Sequence, residues 1–365
     1  MKILHVVPTY LPARRYGGPI VAVHGLCRAL VRRGHDVTVF TTNVDGDGES
    51  DVPIEQDVLL DGVRVRYFRS SFPRLYVSGG MRKALRGIDA FDVVHNHSVF
   101  LWPTAAAARA ATRAHVPYVI TPRGMLVREL IARKSALVKR SWIRLVERRN
   151  FAHAAAIHFT SRRELEDSRE IALPLPNPVV IPNGIDAPPC PVVQRDPHLV
   201  LYLGRINWKK NLDRLIAAME HVPNARLIIA GNDEEGLTPK LRALAKDNVE
   251  FAGPVYDDAK WNLLARASVL VLPSLSENFG NVILEALAME TPVVVSPNVG
   301  LADDVAAAHA GIVSDDLAPA IAAILAGRDA TMGRNGRALV ESRFTWDAVA
   351  AQMEEAYRCS TASRR

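Results

Sequence analysis

Short apolar runs alternate with segments of helical periodicity along the whole chain. The run from Ile3 to Val7 predicts a buried strand, and the apolar positions between Val21 and Val31 then recur at helical spacing until Gly34. A second strand is expected at 35–42. Further strands of the first half are expected at 63–68, 92–95, 118–121 and 155–160. This strand–helix–strand order predicts a parallel sheet covered by helices on both faces.

A proline-rich segment interrupts this order near the middle of the chain. Ala172 to Val193 contains seven prolines, and five apolar runs alternating with helical segments follow it. We therefore expect two doubly wound α/β domains, at 1–178 and 179–343, and an amphipathic helix in 344–365 that packs back on the first domain. Ligands collect at the carboxyl ends of strands in such sheets, so the expected site is a cleft between the two domains.

Composition and charge narrow the classes of protein. The chain has 365 residues, 48% of them apolar, and a net charge of 45 − 39 = +6. The excess of basic residues suggests an anionic partner, but no aromatic pattern or known motif accompanies it, which argues against nucleic acid. Three scattered cysteines, no run of about 18 apolar residues and no signal-peptide pattern predict a cytoplasmic protein without a transmembrane segment.

Two glutamates follow an apolar strand in the second half. Glu277 lies in the loop after the predicted strand 268–272, and Glu285 lies in the helix expected from about Phe279 to Met289. The backbone N–H groups at the start of that helix favour a phosphate group, and Gly280 allows close approach. Carboxylates beside a phosphate must face neutral hydroxyls, such as those of a sugar and a ribose that flank a diphosphate.

Two basic residues complement this site. Arg205 directly follows the predicted strand in "HLVLYLGRI", and Lys210 lies five residues later at the start of a helix. Each alone is compatible with a solvated surface charge. Both at strand ends of the same domain can neutralise a diphosphate, the arginine by bidentate contact and the lysine as a point charge.

Five motifs in order resemble the retaining glycosyltransferases of the GT-B fold, family 4. They are "YGGP" after the first strand, "DVVHNH" at 92–97, "VIPNGID" at 180–186, "GRINWKKN" at 204–211 and "ENFGNVILE" at 277–285. The resemblance covers nearly the whole chain. It implies two Rossmann-like domains, a nucleotide-diphosphate sugar as donor, no metal or other cofactor, and a monomer or weak dimer.

The resemblance also implies roles for single residues. Arg205 and Lys210 match the pair that binds the donor diphosphate and stabilises the leaving group, Glu277 contacts the transferred sugar, and Glu285 holds the ribose. His97 matches a histidine near the reacting sugar carbon. The remaining donor-binding positions implied are Gly17, Gly18, Val255, Asn278, Phe279, Gly280, Asn281 and Val282.

Some features depart from the family pattern or resemble other sites. Asn278 and Glu290 occupy positions where glycine is common in the family; Glu290 lies past the site, but Asn278 bears on which sugar hydroxyl is bound, so the donor sugar stays open. "DGD" at 45–47 resembles the metal motif of other glycosyltransferases, but we interpret it as a solvated loop. We expect His95 and His97 to point to opposite faces of an extended segment, which makes them poor ligands for one metal ion.

The segment 123–149 carries nine Lys or Arg residues against two glutamates. On a helix, Arg133, Arg140, Arg144 and Arg148 share one face, and Val138, Trp142, Leu145 and Val146 share another. One interpretation is a surface helix whose apolar face packs on the sheet. The other is a basic face in peripheral contact with an anionic membrane that holds a lipid-linked acceptor. Arg123, directly after a strand, is the candidate for contacting the acceptor.

The resemblance therefore implies a retaining, metal-independent transfer of a sugar to a glycan or lipid-linked acceptor, in a setting such as bacterial polysaccharide or lipopolysaccharide synthesis. It also implies that the leaving phosphate oxygen helps to deprotonate the acceptor hydroxyl. Two alternatives remain: a nucleotide-sugar epimerase on the same fold, and a catalytically silent nucleotide-sugar-binding scaffold.

Overall fold

The amino-terminal half of the chain builds one eight-stranded sheet. In the computed structural model, which describes residues 1–13, 17–133, 135–327 and 331–362, seven of its strands are parallel and the edge strand β5 is antiparallel to β6. The spatial order is β10-β9-β8-β7-β1-β2-β6-β5. The strands are β1 (Lys2–Thr9), β2 (Asp36–Thr42), β5 (Asp57–Leu60), β6 (Val63–Phe68), β7 (Val93–His97), β8 (Tyr118–Thr121), β9 (Ala156–Phe159) and β10 (Pro178–Val180). A separate two-residue hairpin joins β3 (Val44–Asp45) and β4 (Gly48–Glu49).

Helices cover both faces of this sheet, which is why its central strands are apolar on both sides. The helices are α1 (Gly18–Arg32), α2 (Gly79–Ala84), α3 (Trp102–Arg113), α4 (Arg128–Arg133), α5 (Ala136–Trp142), α6 (Arg148–Ala152) and α7 (Arg162–Arg169). Two 3₁₀ helices (Pro73–Leu75 and Leu85–Ala90) and a π-helix (Ile143–Glu147) complete the set. Helices α1 and α3 pack on opposite faces, each with its own apolar core cluster.

The second half builds a six-stranded parallel sheet of order β13-β12-β11-β14-β15-β16. Its strands are β11 (Leu199–Leu203), β12 (Arg226–Ala230), β13 (Val249–Gly253), β14 (Val269–Leu272), β15 (Val293–Val295) and β16 (Gly311–Val313). Its helices are α8 (Leu212–Met219), α9 (Thr238–Leu244), α10 (Asp257–Arg266), α11 (Asn281–Ala288), α12 (Ala302–Ala307), α13 (Leu317–Leu325) and α14 (Met332–Arg343), with a 3₁₀ helix at Trp208–Lys210. One continuous apolar cluster fills this unit.

The last helix, α15 (Trp346–Ala362), belongs to the first unit and contacts α1. The chain divides into residues 1–184 with the segment from Trp346 onward, and Ile185–Thr345. The predicted boundaries lay at 178/179 and 343/344. The first boundary lies at Gly184 because this residue packs on the ring of Trp346, which also packs on Gly25 of α1. A Cβ on either glycine would lie within 3.0 Å of the indole. None of the described helices has the length and hydropathy needed to cross a membrane.

The basic segment is not the single helix that the periodicity suggested. It is divided into α4, α5, the π-helix and α6. The prediction that the apolar face packs on the sheet is wrong in part, because Val138 is 67% exposed and Leu145 is 74% exposed. Trp142 is instead held by a polar contact, since its Nε1–H donates to Glu147 at 2.8 Å.

Candidate functional site

The loop between β14 and α11 carries Glu277 at the carboxyl edge of the second sheet. Its backbone is held in an extended form against the loop after β15, because the N–H of Glu277 donates to Asn298 (3.1 Å) and the N–H of Gly300 donates to the Glu277 carbonyl (2.9 Å). These bonds hold the side chain of Glu277 at the strand ends, where parallel sheets collect ligands.

Gly280 ends this loop and precedes the first residue of α11. It adopts φ +89°, and a Cβ there would lie 3.0 Å from Ile283 Cδ1. This left-handed conformation turns the chain directly into the helix, and the amino-terminal end of α11 carries a partial positive charge that favours an anion. The predicted helix start near Phe279 is correct to within two residues.

We expect Gly280→Ala to lower the free energy of unfolding of the second unit by about 1–2 kcal/mol, because alanine is strained at positive φ and its Cβ is crowded. Urea unfolding measures this value. Gly236→Ala is the matched control: its φ is +69°, but nothing lies within 4 Å of its Cβ. An equal loss in both variants would show that the contact with Ile283 contributes nothing.

Lys210 and Glu277 form an ion pair at this edge. The Nζ of Lys210 donates to Glu277 Oε2, and the two side chains are only 14% and 20% exposed. The segment of Lys210 is fixed to the Glu277 loop by a further bond, from the N–H of Leu275 to the carbonyl of Lys209 (2.8 Å). A cation for phosphate and a carboxylate for hydroxyls therefore lie side by side.

Arg205 follows β11 and has a different partner. Its Nη1 donates to Glu234 Oε1 at 2.6 Å, and Asn207 Nδ2 donates to the other oxygen at 3.2 Å. The Arg205 side chain is 43% exposed, so it is accessible to an anion. The sequence pointed to Arg205 and Lys210 as a pair, but each of them is neutralised by its own glutamate in this structure.

Glu285 lies in the second turn of α11 and also has a basic partner. Lys260 of α10 donates to Glu285 Oε1 at 2.9 Å, and both side chains are about one-fifth exposed. The Lys260 ammonium lies 4.3 Å from the centroid of the Trp261 ring. Glu285 is thus held by α10, a helix that the sequence analysis did not place next to it.

The other predicted donor-binding positions are distributed over both units. Phe279 is 4% exposed, with its ring centroid 6.3 Å from that of Phe344, so only its backbone can meet a ligand. Val255 is partly buried against the core of the second unit. Asn278, Asn281 and Val282 lie in the loop and first turn around Gly280. Gly17 (φ +70°) and Gly18 begin α1 in the first unit; Tyr16 of "YGGP" lies outside the described residues.

A cluster of buried histidines occupies the first sheet near its carboxyl edge. The prediction that His95 and His97 point to opposite faces is wrong: their ring centroids lie 4.1 Å apart. Residues two positions apart on a strand share a face, because side chains alternate with a period of two. His5 of β1 and His158 of β9 join them, and all four are at most 2% exposed.

The hydrogen bonds of one arm of this cluster assign the protons. His158 Nε2–H donates to the Ile181 carbonyl (2.8 Å), so its Nδ1 accepts from the Thr121 hydroxyl (2.8 Å). The Thr121 oxygen then accepts from His95 Nε2–H (2.6 Å), and His95 Nδ1 accepts from the Tyr357 hydroxyl (2.6 Å). Every hydrogen bond in this arm is satisfied with both imidazoles neutral.

The second arm begins at Arg123. Its Nη1 donates to Asn183 Oδ1 (2.9 Å) and its Nη2 donates to His97 Nδ1 (3.2 Å). His97 is therefore protonated at Nε2 and donates to His5 Nδ1 at 2.9 Å. Arg123 has φ +58°, an uncommon backbone conformation for a residue other than glycine that is frequent at functional sites.

Comparison with known proteins identifies the family of the chain. The family model described as "Glycosyl transferase 4-like domain" matches residues 17–184, and "Glycosyl transferases group 1" matches residues 191–338. A D-inositol 3-phosphate glycosyltransferase of Xylanimonas cellulosilytica is 30% identical over 95% of this chain and 93% of its own. The chain belongs to the family 4 glycosyltransferases.

Further relatives of this glycosyltransferase include a glycogen synthase and proteins of known structure. A glycogen synthase of Mycobacterium tuberculosis is 30% identical, over 100% of this chain and 96% of its own. Among solved structures, the Anabaena protein HepE in complex with UDP superposes with a TM-score of 0.75 at 19% identity, covering 98% of this chain and 100% of that one. This likeness confirms the predicted GT-B fold.

Burial determines the protonation of the histidine network in the glycosyltransferase. It lowers the pKa of His5 and of His158 to about 3, and it lowers the pKa of His95 and His97 well below the usual range. The nearby Arg123 charge acts in the same direction. Burial also lowers the pKa of Arg123 to about 10, so the guanidinium stays charged at neutral pH. The network is therefore neutral around one fixed positive charge.

His5, His95 and His97 form the one group of metal-ligand type found among the described residues, with ring nitrogens within 4.8 Å of one another. The hydrogen bonds compete with metal binding, because both nitrogens of His95 and of His97 already have partners. The Nε2–H of His5 has no partner in the described structure. A metal ion here would also lie close to the Arg123 charge, so these residues do not fit a metal well.

Several residues at these two sites were not found from the sequence. They are Glu234, Lys260, His5, Thr121, His158, Asn183 and Tyr357. A histidine inside an otherwise apolar strand run was the available signal for His5, and "VIPNG" contains Asn183. Glu234 and Lys260 gave no signal, since charged residues in loops and on helices are usually solvated.

Proposed function

We propose that this glycosyltransferase transfers a sugar from a nucleotide-diphosphate sugar to a hydroxyl of a glycan or lipid-linked acceptor, with retention of configuration and without a metal. The contact between Lys210 and Glu277 carries the proposal. It places a group that binds phosphate beside a group that binds sugar hydroxyls, at the amino terminus of α11. The complex of HepE with UDP, and the inositol-phosphate glycosyltransferase among the relatives, support the same class of substrates.

The donor would be held by three contacts in the second unit. Its diphosphate meets Lys210, Arg205 and the partial positive charge at the amino-terminal end of α11. Glu277 accepts hydrogen bonds from the transferred sugar, and Glu285, oriented by Lys260, accepts them from the ribose. The phosphate replaces Glu234 as the partner of Arg205, and the 43% exposure of the Arg205 side chain allows this exchange.

The acceptor would be bound by the carboxyl edge of the first sheet. His97 and Arg123 provide an imidazole and a guanidinium there, and the buried network fixes both of them. A phosphorylated acceptor suits the guanidinium, because Arg123 makes no contact with a carboxylate among the residues described. The acceptor of the Xylanimonas relative, by its name, carries a phosphate.

Retention would follow from a front-face reaction. The bond between the sugar carbon and the diphosphate breaks, and the leaving oxygen takes the proton of the acceptor hydroxyl as the new glycosidic bond forms. Lys210 and Arg205 stabilise the charge that develops on the diphosphate. Glu277 is paired with Lys210, which favours hydroxyl binding over attack on the sugar carbon.

The experiment is a transfer assay in EDTA. Donors based on UDP, GDP, dTDP and ADP are combined with inositol phosphates, glycans and short-chain polyprenyl phosphates, and proton NMR reports the anomeric configuration of the product. We expect one nucleotide class to give product with the configuration of the donor. An inverted product would contradict retention, a requirement for Mg²⁺ would contradict metal independence, and donor epimerisation without transfer would favour an epimerase.

We also propose that α5 and the π-helix contact an anionic membrane. Leu137, Val138 and Leu145 are 79%, 67% and 74% exposed, and basic residues alternate with them in the sequence. Exposed apolar side chains beside lysine and arginine suit an interface between anionic headgroups and acyl chains. The enzyme would bind a lipid-linked acceptor at this membrane surface.

We expect the triple substitution Leu137→Ser, Val138→Ser and Leu145→Ser to reduce binding to vesicles of phosphatidylcholine with 30% phosphatidylglycerol by about tenfold or more. Cosedimentation measures the bound fraction. Leu59, Val192 and Leu244, which are 73%, 105% and 48% exposed, provide the matched serine control. Equal losses in both triple variants would contradict a membrane contact by this segment.

A further inference from the structure

The amino-terminal unit has a second group of basic side chains at the opposite edge of its sheet. Arg113 is the last residue of α3, shortly before β8 begins at Tyr118, and Arg149 lies in α6, shortly before β9 begins at Ala156. Thr121, in contrast, is the last residue of β8. Because parallel strands begin at one edge and end at the other, this group is separate from the histidine network.

These side chains line a cavity of about 280 Å³. Arg109, Arg113 and Arg149 surround it together with Thr112 and Asn150, and Leu145 and Val146 provide its apolar part. A larger groove of about 770 Å³ shares Arg109 and Arg113 with the cavity. It adds Arg82 and Arg86 above a floor formed mainly by Leu85, Ile88 and the alanines of α3.

The positive charge at this edge is compensated only in part. None of these five arginines forms an ion pair with a described carboxylate, and Asp89 is the one acidic residue among the lining residues, but the buried Glu147 carboxylate interacts electrostatically with Arg109. Helix carboxyl ends carry a partial negative charge, but about half a charge for each of three short helices offsets less than two arginines. An anion that enters the cavity therefore meets a net positive field.

From this arrangement we infer that the cavity is a phosphate-binding site, distinct from the donor and acceptor sites. Three arginines line the cavity, and guanidinium forks match phosphate oxygens bidentately, whereas the Thr112 hydroxyl and the Asn150 amide already donate to Ala108 and Glu147. The apolar floor of the adjoining groove suits a ligand whose phosphate is joined to an apolar body. The phosphate belongs either to a lipid headgroup or to a soluble phosphate compound.

The test compares two triple variants in a background that carries Arg205→Gln and Lys210→Gln, which removes phosphate binding by the proposed donor site. One variant is Arg109→Gln, Arg113→Gln and Arg149→Gln. The control, Lys240→Gln, Arg266→Gln and Arg334→Gln, removes the same charge from exposed positions of the second unit. The probes are inorganic pyrophosphate, measured by calorimetry, and vesicles of phosphatidylcholine with 30% phosphatidylglycerol, measured by cosedimentation.

We expect the site variant to lose about tenfold or more in affinity for at least one probe, and the control to lose less than twofold. A loss for vesicles alone identifies a lipid headgroup, and a loss for pyrophosphate identifies a soluble phosphate. Equal losses in both variants, or no binding of either probe by the background protein, would overturn the inference. Because the donor site is absent from every protein compared, the result does not depend on the proposed transfer.

Discussion

Lowering the pH from 7.0 to 5.5 should destabilise the amino-terminal unit by about 5 kcal/mol. His5, His95, His97 and His158 are buried with their pKa values depressed, two of them to about 3. In the unfolded chain they titrate near 6.5, so between pH 3 and 6.5 the unfolded state binds more protons. Stability is therefore fully present above about pH 7 and is lost as the pH falls, by about 1.3 kcal/mol per histidine over this range. Glu147, whose pKa burial raises, acts weakly in the opposite direction.

Hydrogen exchange with mass spectrometry measures this loss separately for each unit. The second unit is the internal control, since His198, His221 and His309 are exposed there. His158→Gln keeps an acceptor for Thr121 and a donor for Ile181 but cannot titrate, so it should reduce the loss by about one quarter. If both units lost stability equally, or if His158→Gln left the pH dependence unchanged, the neutral network would be contradicted.

Lys210→Gln should reduce kcat by a factor of about 10²–10³, because it removes a preorganised charge from the leaving diphosphate. The free energy of unfolding should fall by only about 1–2 kcal/mol, the cost of leaving the partly buried Glu277 carboxylate without its partner. Single-turnover kinetics with saturating donor separates this effect on the chemical step from an effect on binding.

The control for this substitution is Lys246→Gln. Lys246 pairs with Glu220 at 3.2 Å, but it is 65% exposed and lies outside the proposed site. It should leave kcat within a factor of two and change stability by less than about 1 kcal/mol. A kcat for Lys210→Gln close to that of the unchanged enzyme would remove Lys210 from the proposed mechanism.

The apolar pattern of the sequence correctly predicted strands that are buried on both faces of a sheet, because burial on both faces requires a continuous apolar run. β1, β8 and β14 were found in this way to within two residues. The two edge strands of the first sheet were missed for a physical reason: β5 is half exposed, and β10 begins with Pro178, which an edge position tolerates because its missing N–H faces no partner strand. The basic segment was misjudged because helical periodicity was present without burial.

The candidate site was predictable where a residue lies in a motif next to a strand end. The binding roles of Glu277, Glu285, Arg205 and Lys210 stay predictions; these residues were selected because strand order brings such positions to one edge. Their partners Glu234 and Lys260 were not, since a contact between a loop and a remote side chain leaves no periodic trace. The shared face of His95 and His97 was available from strand geometry alone, and it was missed.

The central claim is that the carboxyl edge of the second sheet binds a nucleotide sugar. Thermal unfolding in EDTA with UDP, GDP, dTDP, ADP and CMP sugars tests it most directly, with Glu285→Gln as the site variant. Glu341→Gln, which removes a carboxylate that is 62% exposed and paired with Arg337, is the control. At a hundred times its dissociation constant, one nucleotide class should stabilise the enzyme and the control by about 2.7 kcal/mol, and Glu285→Gln by less than about 1 kcal/mol. If no nucleotide sugar stabilises the enzyme, or if Glu285→Gln is stabilised as much as the control, the claim is contradicted.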